Sequence, residues 1–228
     1  MNNFIKIKNI KKKYEKNETI KVLNDISFKF ESGNIYSLVG PSGSGKSTLL
    51  NILSLIDTPT SGSIEINKKK IDFDNQIYND NVRAKKIGVI YQDKNLLSDF
   101  SAIENVYLPN LLLSNNKSTS MYLAKKIIKS VGLTSRINHF PSELSGGENQ
   151  RVAIARAIIN NPEIILADEP TGSLDFENAK KIFKILFNLK SKNRIIIYAT
   201  HNRYFANMAD CKIKMIGGKM KIVNERID

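Results

Sequence analysis

Gly40-Pro41-Ser42-Gly43-Ser44-Gly45-Lys46-Ser47 fits the pattern G-x-x-x-x-G-K-[ST] and decides the fold around it. Just upstream, Ile35 to Val39 reads as a buried strand ending at Gly40. Downstream, the pattern from Lys46 to Leu55 is helical, and Thr58-Pro59-Thr60-Ser61-Gly62 stops it. Strand, glycine-rich turn and helix in that order make a phosphate cradle. Glycines let the backbone wrap closely around an anion with its N–H groups pointing inward. The helix amino terminus adds partial positive charge and free donors. Lys46 is placed to neutralise the β- and γ-phosphates of a bound nucleotide and the Ser47 hydroxyl to ligate Mg²⁺, with Thr48 a further nucleotide-binding candidate. The plain alternative is a turn with no ligand, which the strand–helix setting disfavours. Alone, the motif leaves kinases, GTPases and helicases open.

Two further segments narrow the chemistry. Ile164-Ile165-Leu166-Ala167-Asp168-Glu169 is a buried strand ending in two carboxylates. Such a pair is often only a solvent-facing turn, but beside a phosphate cradle it has work to do. Asp168 reaches the metal, and Glu169 orients or deprotonates an attacking water. Leu144-Ser145-Gly146-Gly147-Glu148 opens a helix running through Gln150, Arg151 and Arg156, a second anion site in the same chain. One ATP cannot easily occupy both sites. Each is therefore expected to complete a nucleotide pocket on another copy.

Outward from these motifs, Phe4 to Ile7 and Val22 to Phe30 alternate as strands, with Glu31-Ser32-Gly33-Asn34 as a turn. Ser63 to Ile66 and Ile87 to Tyr91 read as further strands. The middle, about residues 93–159, is expected to be mostly helical. Met121, Ala124, Ile127, Ile128 and Val131 share one face opposite Lys125, Lys126 and Lys129, and Gly132 ends that helix. Strand–helix alternation then returns, with strands at Ile164 to Ala167 and Arg194 to Ala199 and a helix from Leu174 to Lys190 between them. There is no internal repeat and no low-complexity linker. The expectation is a single α/β domain over 1–228, with a core of 1–92 and 160–228. It combines a β-rich amino-terminal part, a mainly parallel core sheet and a helical lobe inserted at about 93–159.

Composition excludes several classes. With 228 residues and 41% hydrophobic content the chain can bury a real core. No apolar stretch approaches the roughly 20 residues of a membrane helix, and Met1-Asn2-Asn3-Phe4-Ile5-Lys6 does not resemble a signal peptide. Cys211 is the single cysteine, so neither an internal disulfide nor a cysteine metal cluster is available, and a reducing cytosol is expected. The net charge of +13 comes from 28 Lys and 7 Arg, with the Lys in short scattered runs such as Lys11 to Lys13 and Lys68 to Lys70. A nucleic-acid binder would cluster Arg and aromatics. A solvated Lys-rich surface fits better, with attraction to an anionic membrane leaflet as a second reading.

Taken together, these motifs resemble those of the ABC ATPases over almost the whole chain. Leu144 to Glu148 resembles their signature motif, Tyr14 the aromatic that stacks on adenine, and Gln92 the glutamine linking Mg²⁺ to the membrane partner. A surface tyrosine remains the competing reading of Tyr14. Ser173-Leu174-Asp175 resembles the D-loop that crosses the dimer seam, and His201, after the strand ending at Ala199, the switch histidine that contacts the γ-phosphate. Departures are small: Glu148-Asn149-Gln150 and Gly172-Ser173-Leu174-Asp175 differ from the commoner family forms without removing a phosphate donor or metal ligand. The resemblance implies an ATPase whose homodimer sandwiches two nucleotides, each between the P-loop of one copy and Ser145, Gly146 and Gly147 of the other. Non-transport ABC proteins acting on nucleic acid insert long coiled coils, and translation-associated members carry tandem cassettes. The short lobe here is closer to transport subunits.

Within that class, Tyr91 to Val106 resembles the Q-loop region of the LolD family, as does Ala167 to Asp175, a segment shared more broadly with the MacB and FtsE families, and Leu96 to Val106 looks closer to LolD than to FtsE. That resemblance implies a peripheral subunit on the cytoplasmic face of the bacterial inner membrane. Its partners would be LolC/LolE-type membrane proteins, received along Gln92 to Val106. Their complex moves outer-membrane-directed lipoproteins to the carrier LolA. A MacB-like exporter and an FtsE-like division ATPase are the alternatives.

Overall fold

The computed structural model describes residues 3–15 and 19–225. Met1, Asn2, 16–18 and 226–228 lie outside the described residues, and with them the ends of the expected single-domain span and the first two residues of the stretch compared with a signal peptide. In chain order the elements are β1 (Phe4–Glu15), β2 (Thr19–Glu31), β3 (Ile35–Val39), α1 (Lys46–Leu53), β4 (Ser61–Ile66) and β5 (Lys69–Lys70). There follow α2 (Gln76–Lys86), β6 (Ile87–Ile90), α3 (Ala102–Ser114), α4 (Lys117–Ser130) and α5 (Gly146–Ile158). The chain closes with β7 (Ile164–Asp168), α6 (Phe176–Asn188), β8 (Ile195–Ala199), α7 (Arg203–Ala206), β9 (Cys211–Ile216) and β10 (Lys219–Glu225).

The strands form two sheets. One is antiparallel, ordered β2-β1-β4-β5. The other is ordered β10-β9-β3-β8-β7-β6, parallel from β9 to β6, with β10 added antiparallel at one edge. Parallel strands covered on both faces should be continuously apolar, and β8 shows why. Ile195, Ile197 and Ala199 enter the cluster shared with the antiparallel sheet and α1, while Ile196 and Tyr198 enter the cluster under α6. A third cluster, including Val106, Ile128 and Val152, joins α3, α4 and α5. The fold is thus α/β with a β-rich amino-terminal sheet, a mainly parallel core sheet and helices inserted between β6 and β7. Among the described residues, no helix is long and apolar enough to cross a membrane.

The structure corrects several boundaries. Helix α1 stops at Leu53, because Leu55 turns into the left-handed region at φ 60°. The helix expected from Leu174 begins at Phe176, since the Asp175 side chain accepts the Asn178 N–H as its cap, and it ends at Asn188. Helix α2 was not anticipated; only Asn79 and Val82 of it are buried, so it carries almost no apolar stripe. The carboxyl-terminal third does not end in strand–helix alternation. It closes with the β9–β10 hairpin, turned at Gly217 and Gly218, both at positive φ.

Candidate active site

In a parallel sheet every strand's carboxyl end reaches the same edge, and ligands bind there. The loops after β3, β6, β7 and β8 open at that edge, around a cavity of about 580 Å³. Its walls include Gly43, Gly45, Lys46, Ser47 and Thr48 from the glycine loop and α1. Gln92, Asp168, Glu169 and His201 face them, and Ile20, Val22 and Ser42 complete the wall. Gly40 and Pro41 line the adjoining cavity instead, which shares His201.

The cradle is built by backbone constraint. Gly45 caps α1 at φ 96°, and a Cβ there would lie 2.7 Å from Leu23 Cδ2 and 2.9 Å from the Val22 carbonyl. Only glycine fits under β2. Lys46 is buried and folds back across the loop, donating to the carbonyls of Gly40 at 2.9 Å and Pro41 at 3.0 Å. An ammonium has three donors, so one is left for a ligand. The Ser44 hydroxyl is buried without a hydrogen-bond partner.

Asp168 ends β7, and its Oδ1 is buried with no partner. An orphaned carboxylate oxygen is costly unless a ligand claims it. With the Ser47 hydroxyl and Gln92 amide in the same cavity it forms a sparse oxygen set, the kind Mg²⁺ takes when phosphates and waters supply the rest. Among the described residues, no group of three or more His, Cys, Asp and Glu forms a metal cage.

Glu169 sits in the left-handed region at φ 44°. Its N–H donates to Ala199 O at 3.1 Å, and its carbonyl accepts from Gly172 N at 3.0 Å. The carboxylate accepts from His201 Nδ1 at 2.9 Å. A carboxylate oxygen serves as the acceptor of this bond, with Nδ1 as its donor. The His201 side chain is 71% exposed and that of Glu169 15%. The pair therefore forms the rim and the inner wall of the cavity.

Next to Gln92, the chain is held from two sides. Arg156 of α5 donates to the carbonyls of Lys94 and Asn95, each at 2.7 Å, and Lys94 Nζ donates to Ser173 Oγ at 2.8 Å. Lys94 and Asn95 both have positive φ. Gly172 leaves room for the glutamine, since a Cβ there would be 3.2 Å from Gln92 Nε2.

None of Leu144, Ser145, Gly146, Gly147 and Glu148 lines this cavity. Ser145 caps α5, its hydroxyl accepting from Glu148 N at 3.3 Å while its own N–H donates to Glu148 Oε2 at 2.8 Å. Hydrogen bonds from the Ser145 N–H and hydroxyl, aided by Arg136 at 3.1 Å, hold the Glu148 carboxyl below its usual pKa. This end of α5 meets the Ser173-Leu174-Asp175 segment: a Cβ at Gly146 would touch Leu174 Cδ2 at 3.5 Å. Tyr14 lies at the end of β1, beside Thr48, with its hydroxyl on Asp57. Lys12, Asp57 and Lys94 were given no site role by the motif reading, and Gly172 was read only as part of the segment leading into the D-loop. Asp57 had one signal, a carboxylate immediately before a Pro-containing turn.

The family model described as ABC transporter matches residues 23–172. The chain is 41% identical to a lipoprotein-releasing system ATP-binding protein LolD of Rickettsia bellii, covering 97% of this chain and 99% of that one. It is 44% identical to the protein of the same name from Wigglesworthia glossinidia brevipalpis, over 96% of this chain and 98% of that one. An uncharacterized ABC transporter ATP-binding protein of Methanocaldococcus jannaschii is 43% identical, over 97% of this chain and 100% of that one. A dimeric post-hydrolysis structure of the ATP-binding cassette MJ0796, bound to ADP and Pi, superposes with a TM-score of 0.91 at 35% identity, covering 98% of this chain and 99% of that chain. A P-loop, a carboxylate pair and a signature-capped helix, with a family model matched across more than half its length, make this chain a member of the ABC transporter ATP-binding family, an ATPase that binds and hydrolyses ATP.

Proposed function

We propose that this chain is the ATP-hydrolysing subunit of a lipoprotein-releasing complex. Two copies would bind LolC/LolE-type membrane proteins at the cytoplasmic face of the inner membrane and power transfer of outer-membrane-directed lipoproteins to a LolA-type carrier. The observation that carries the ATP chemistry is the single cavity shared by Lys46, Ser47, Gln92, Asp168, Glu169 and His201. The cargo reading is supported by end-to-end similarity to proteins named LolD.

In this mechanism Lys46 and the loop amides bind the phosphates. Ser47, Asp168 and Gln92 would hold Mg²⁺, which when bound would neutralise phosphate charge. Glu169 takes a proton from the water that attacks the γ-phosphorus, as the bond to the β–γ bridging oxygen breaks and leaves ADP. His201 holds the Glu169 carboxylate through Nδ1 and presents Nε2 to the γ-phosphate. Ser145, Gly146 and Gly147 of the second copy close over the nucleotide, so hydrolysis releases the interface.

The test is reconstitution of the chain with LolC/LolE-type membrane proteins in vesicles carrying a labelled lipoprotein. ATP-dependent transfer of the label to a soluble LolA-type carrier is expected. Hydrolysis without transfer, alongside stimulation by an FtsX- or MacB-type membrane partner, would overturn the cargo assignment and leave the ATPase intact.

A further inference from the structure

Outside the residues that line the nucleotide cavity, Tyr14 is joined to an ion pair that the phosphate chemistry does not use. Lys12 Nζ donates to Asp57 Oδ1 at 2.6 Å and to the Thr58 carbonyl at 2.7 Å. The Lys12 side chain is only 12% exposed and that of Asp57 25%. In a chain whose lysines mostly decorate the surface, a largely buried lysine is unusual and has to be compensated. The same Asp57 accepts the Tyr14 hydroxyl on its other oxygen, Oδ2, at 2.7 Å. Lys12 and Tyr14 lie two residues apart on β1, hence on the same face of the strand. The Lys12 ammonium accordingly sits 4.7 Å from the centroid of the Tyr14 ring.

We propose that Asp57 and Lys12 are positioning residues for the nucleobase platform. Asp57 fixes the Tyr14 ring by its hydroxyl, and Lys12 covers one ring face so that a purine can stack only on the other. This deepens the function proposed above, because it rests on Tyr14 being the platform. Three observations favour a built clamp over a chance surface pair. Both oxygens of Asp57 are used, each on a different partner. Asp57 itself is held by the Thr58 N–H at 2.7 Å, which fixes the carboxylate relative to the turn. Tyr14 also interacts with Thr48, which lines the nucleotide cavity one residue beyond Ser47, so the ring is tied to the cradle. The titration properties agree. Burial, then the hydrogen bond and charge of Asp57, raise the Tyr14 pKa, keeping the hydroxyl a donor. Burial opposes ionisation of Asp57, but Lys12, Tyr14 and Thr58 together hold its pKa low, keeping it an acceptor.

A free tyrosine side chain can turn about two torsions, and a base that stacks on it has to stop that motion. A ring already stopped in the stacking pose removes that cost from binding. A ligand without a base gains nothing from the clamp, and this separates a positioning role from a structural one.

The experiment compares ADP, which is not hydrolysed, with pyrophosphate, both with Mg²⁺, by equilibrium titration of the full chain. Tyr14→Ala removes the platform and is expected to weaken ADP binding by roughly tenfold or more, the scale of one lost base stack. Tyr14→Phe keeps the ring and deletes only its hydrogen bond, and is expected to weaken ADP by about two- to tenfold. Asp57→Asn, which keeps an acceptor but loses the charge that holds Lys12, should fall between Tyr14→Phe and the unsubstituted chain. Pyrophosphate affinity should hold in all three. If Tyr14→Ala weakens ADP while Tyr14→Phe and Asp57→Asn bind it normally, the clamp is wrong and the platform stands. If Tyr14→Ala binds ADP normally, the platform reading fails and takes the clamp with it. A parallel loss of pyrophosphate would make the cluster structural and overturn the inference. Should Asp57→Asn fail to fold, Tyr14→Phe decides the question alone.

Discussion

Glu169 is the residue whose backbone and side chain argue the same way. A glutamate at φ 44° pays for a left-handed conformation that glycine or asparagine would adopt more readily. Two backbone hydrogen bonds, from Glu169 N to Ala199 O and from Gly172 N to Glu169 O, hold it there. The gain is placement: the carboxylate reaches the wall shared with Lys46 and meets His201 Nδ1 at 2.9 Å. Glu169→Gln preserves size and can still bond to His201, but it cannot accept a proton. ATP binding should persist and turnover should fall by about 10²–10⁴, the usual worth of a general base. Steady-state phosphate production at saturating ATP measures it, and rates near those of the unsubstituted chain would remove Glu169 from the role. The residues that one cavity brings together, Lys46, Ser47, Asp168, Glu169 and His201, were legible because each stands at a strand end or a glycine turn, where sequence pattern and geometry coincide. Asp57 and Lys12 were not legible, because their partnership spans 45 positions and depends on the antiparallel sheet lying beside α1. Lys12 carries no local mark of its role, and Asp57 only its place before a Pro-containing turn.

Elements meet at Arg156. It belongs to α5, whose other end carries the signature, and its guanidinium holds Lys94 and Asn95 just after Gln92. Lys94 in turn reaches Ser173, so one chain of contacts runs from the signature helix through the glutamine segment to the residues before α6. Burial lowers the Arg156 pKa, against which Tyr91 acts weakly, but a guanidinium stays charged. Losing it leaves two carbonyls and two positive-φ residues unsupported. Arg156→Ala should cost about 2–4 kcal/mol of stability from two charge-assisted bonds, a fall of roughly 5–15 °C in the unfolding midpoint. Arg156→Lys, with a single point charge, should recover only part of it. Thermal denaturation of the three chains is the measurement, and an unchanged midpoint in Arg156→Ala would mean the clamp bears no load. Here the sequence reading succeeds by element rather than by boundary. Strands β3, β7 and β8 were plain as apolar runs, because both of their faces are buried. Helix α2 was invisible, since a helix resting on the sheet by Asn79 and Val82 needs no apolar stripe.

For the whole molecule the informative fact is what a single copy does not bring together. The P-loop cavity is lined by Lys46, Asp168, Glu169 and their neighbours, whereas Ser145 to Gly147 stand outside it, at the start of α5. Within the copy the Ser145 hydroxyl is already engaged with Glu148 N, and Glu148 with Ser145 N and Arg136. The cap is therefore held by hydrogen bonds made within one copy, with the amides of Gly146 and Gly147 at the positive end of a 13-residue helix. An anion presented by a second copy would find donors that cost nothing to order. Ser145→Ala removes the cap, worth about 1 kcal/mol of helix stability. Gly146→Glu adds a carboxylate against the approaching phosphates, where like charges repel. Both should leave ATP binding by the single chain close to normal, because neither residue lines its cavity. Both should suppress ATP-dependent dimerisation, Gly146→Glu almost completely and Ser145→Ala in part, through the loss of its hydroxyl and the weakened cap. Sedimentation in the Glu169→Gln background, where bound ATP is not consumed, reads the dimer directly. Loss of single-chain ATP binding with dimerisation intact would contradict a site shared between two copies.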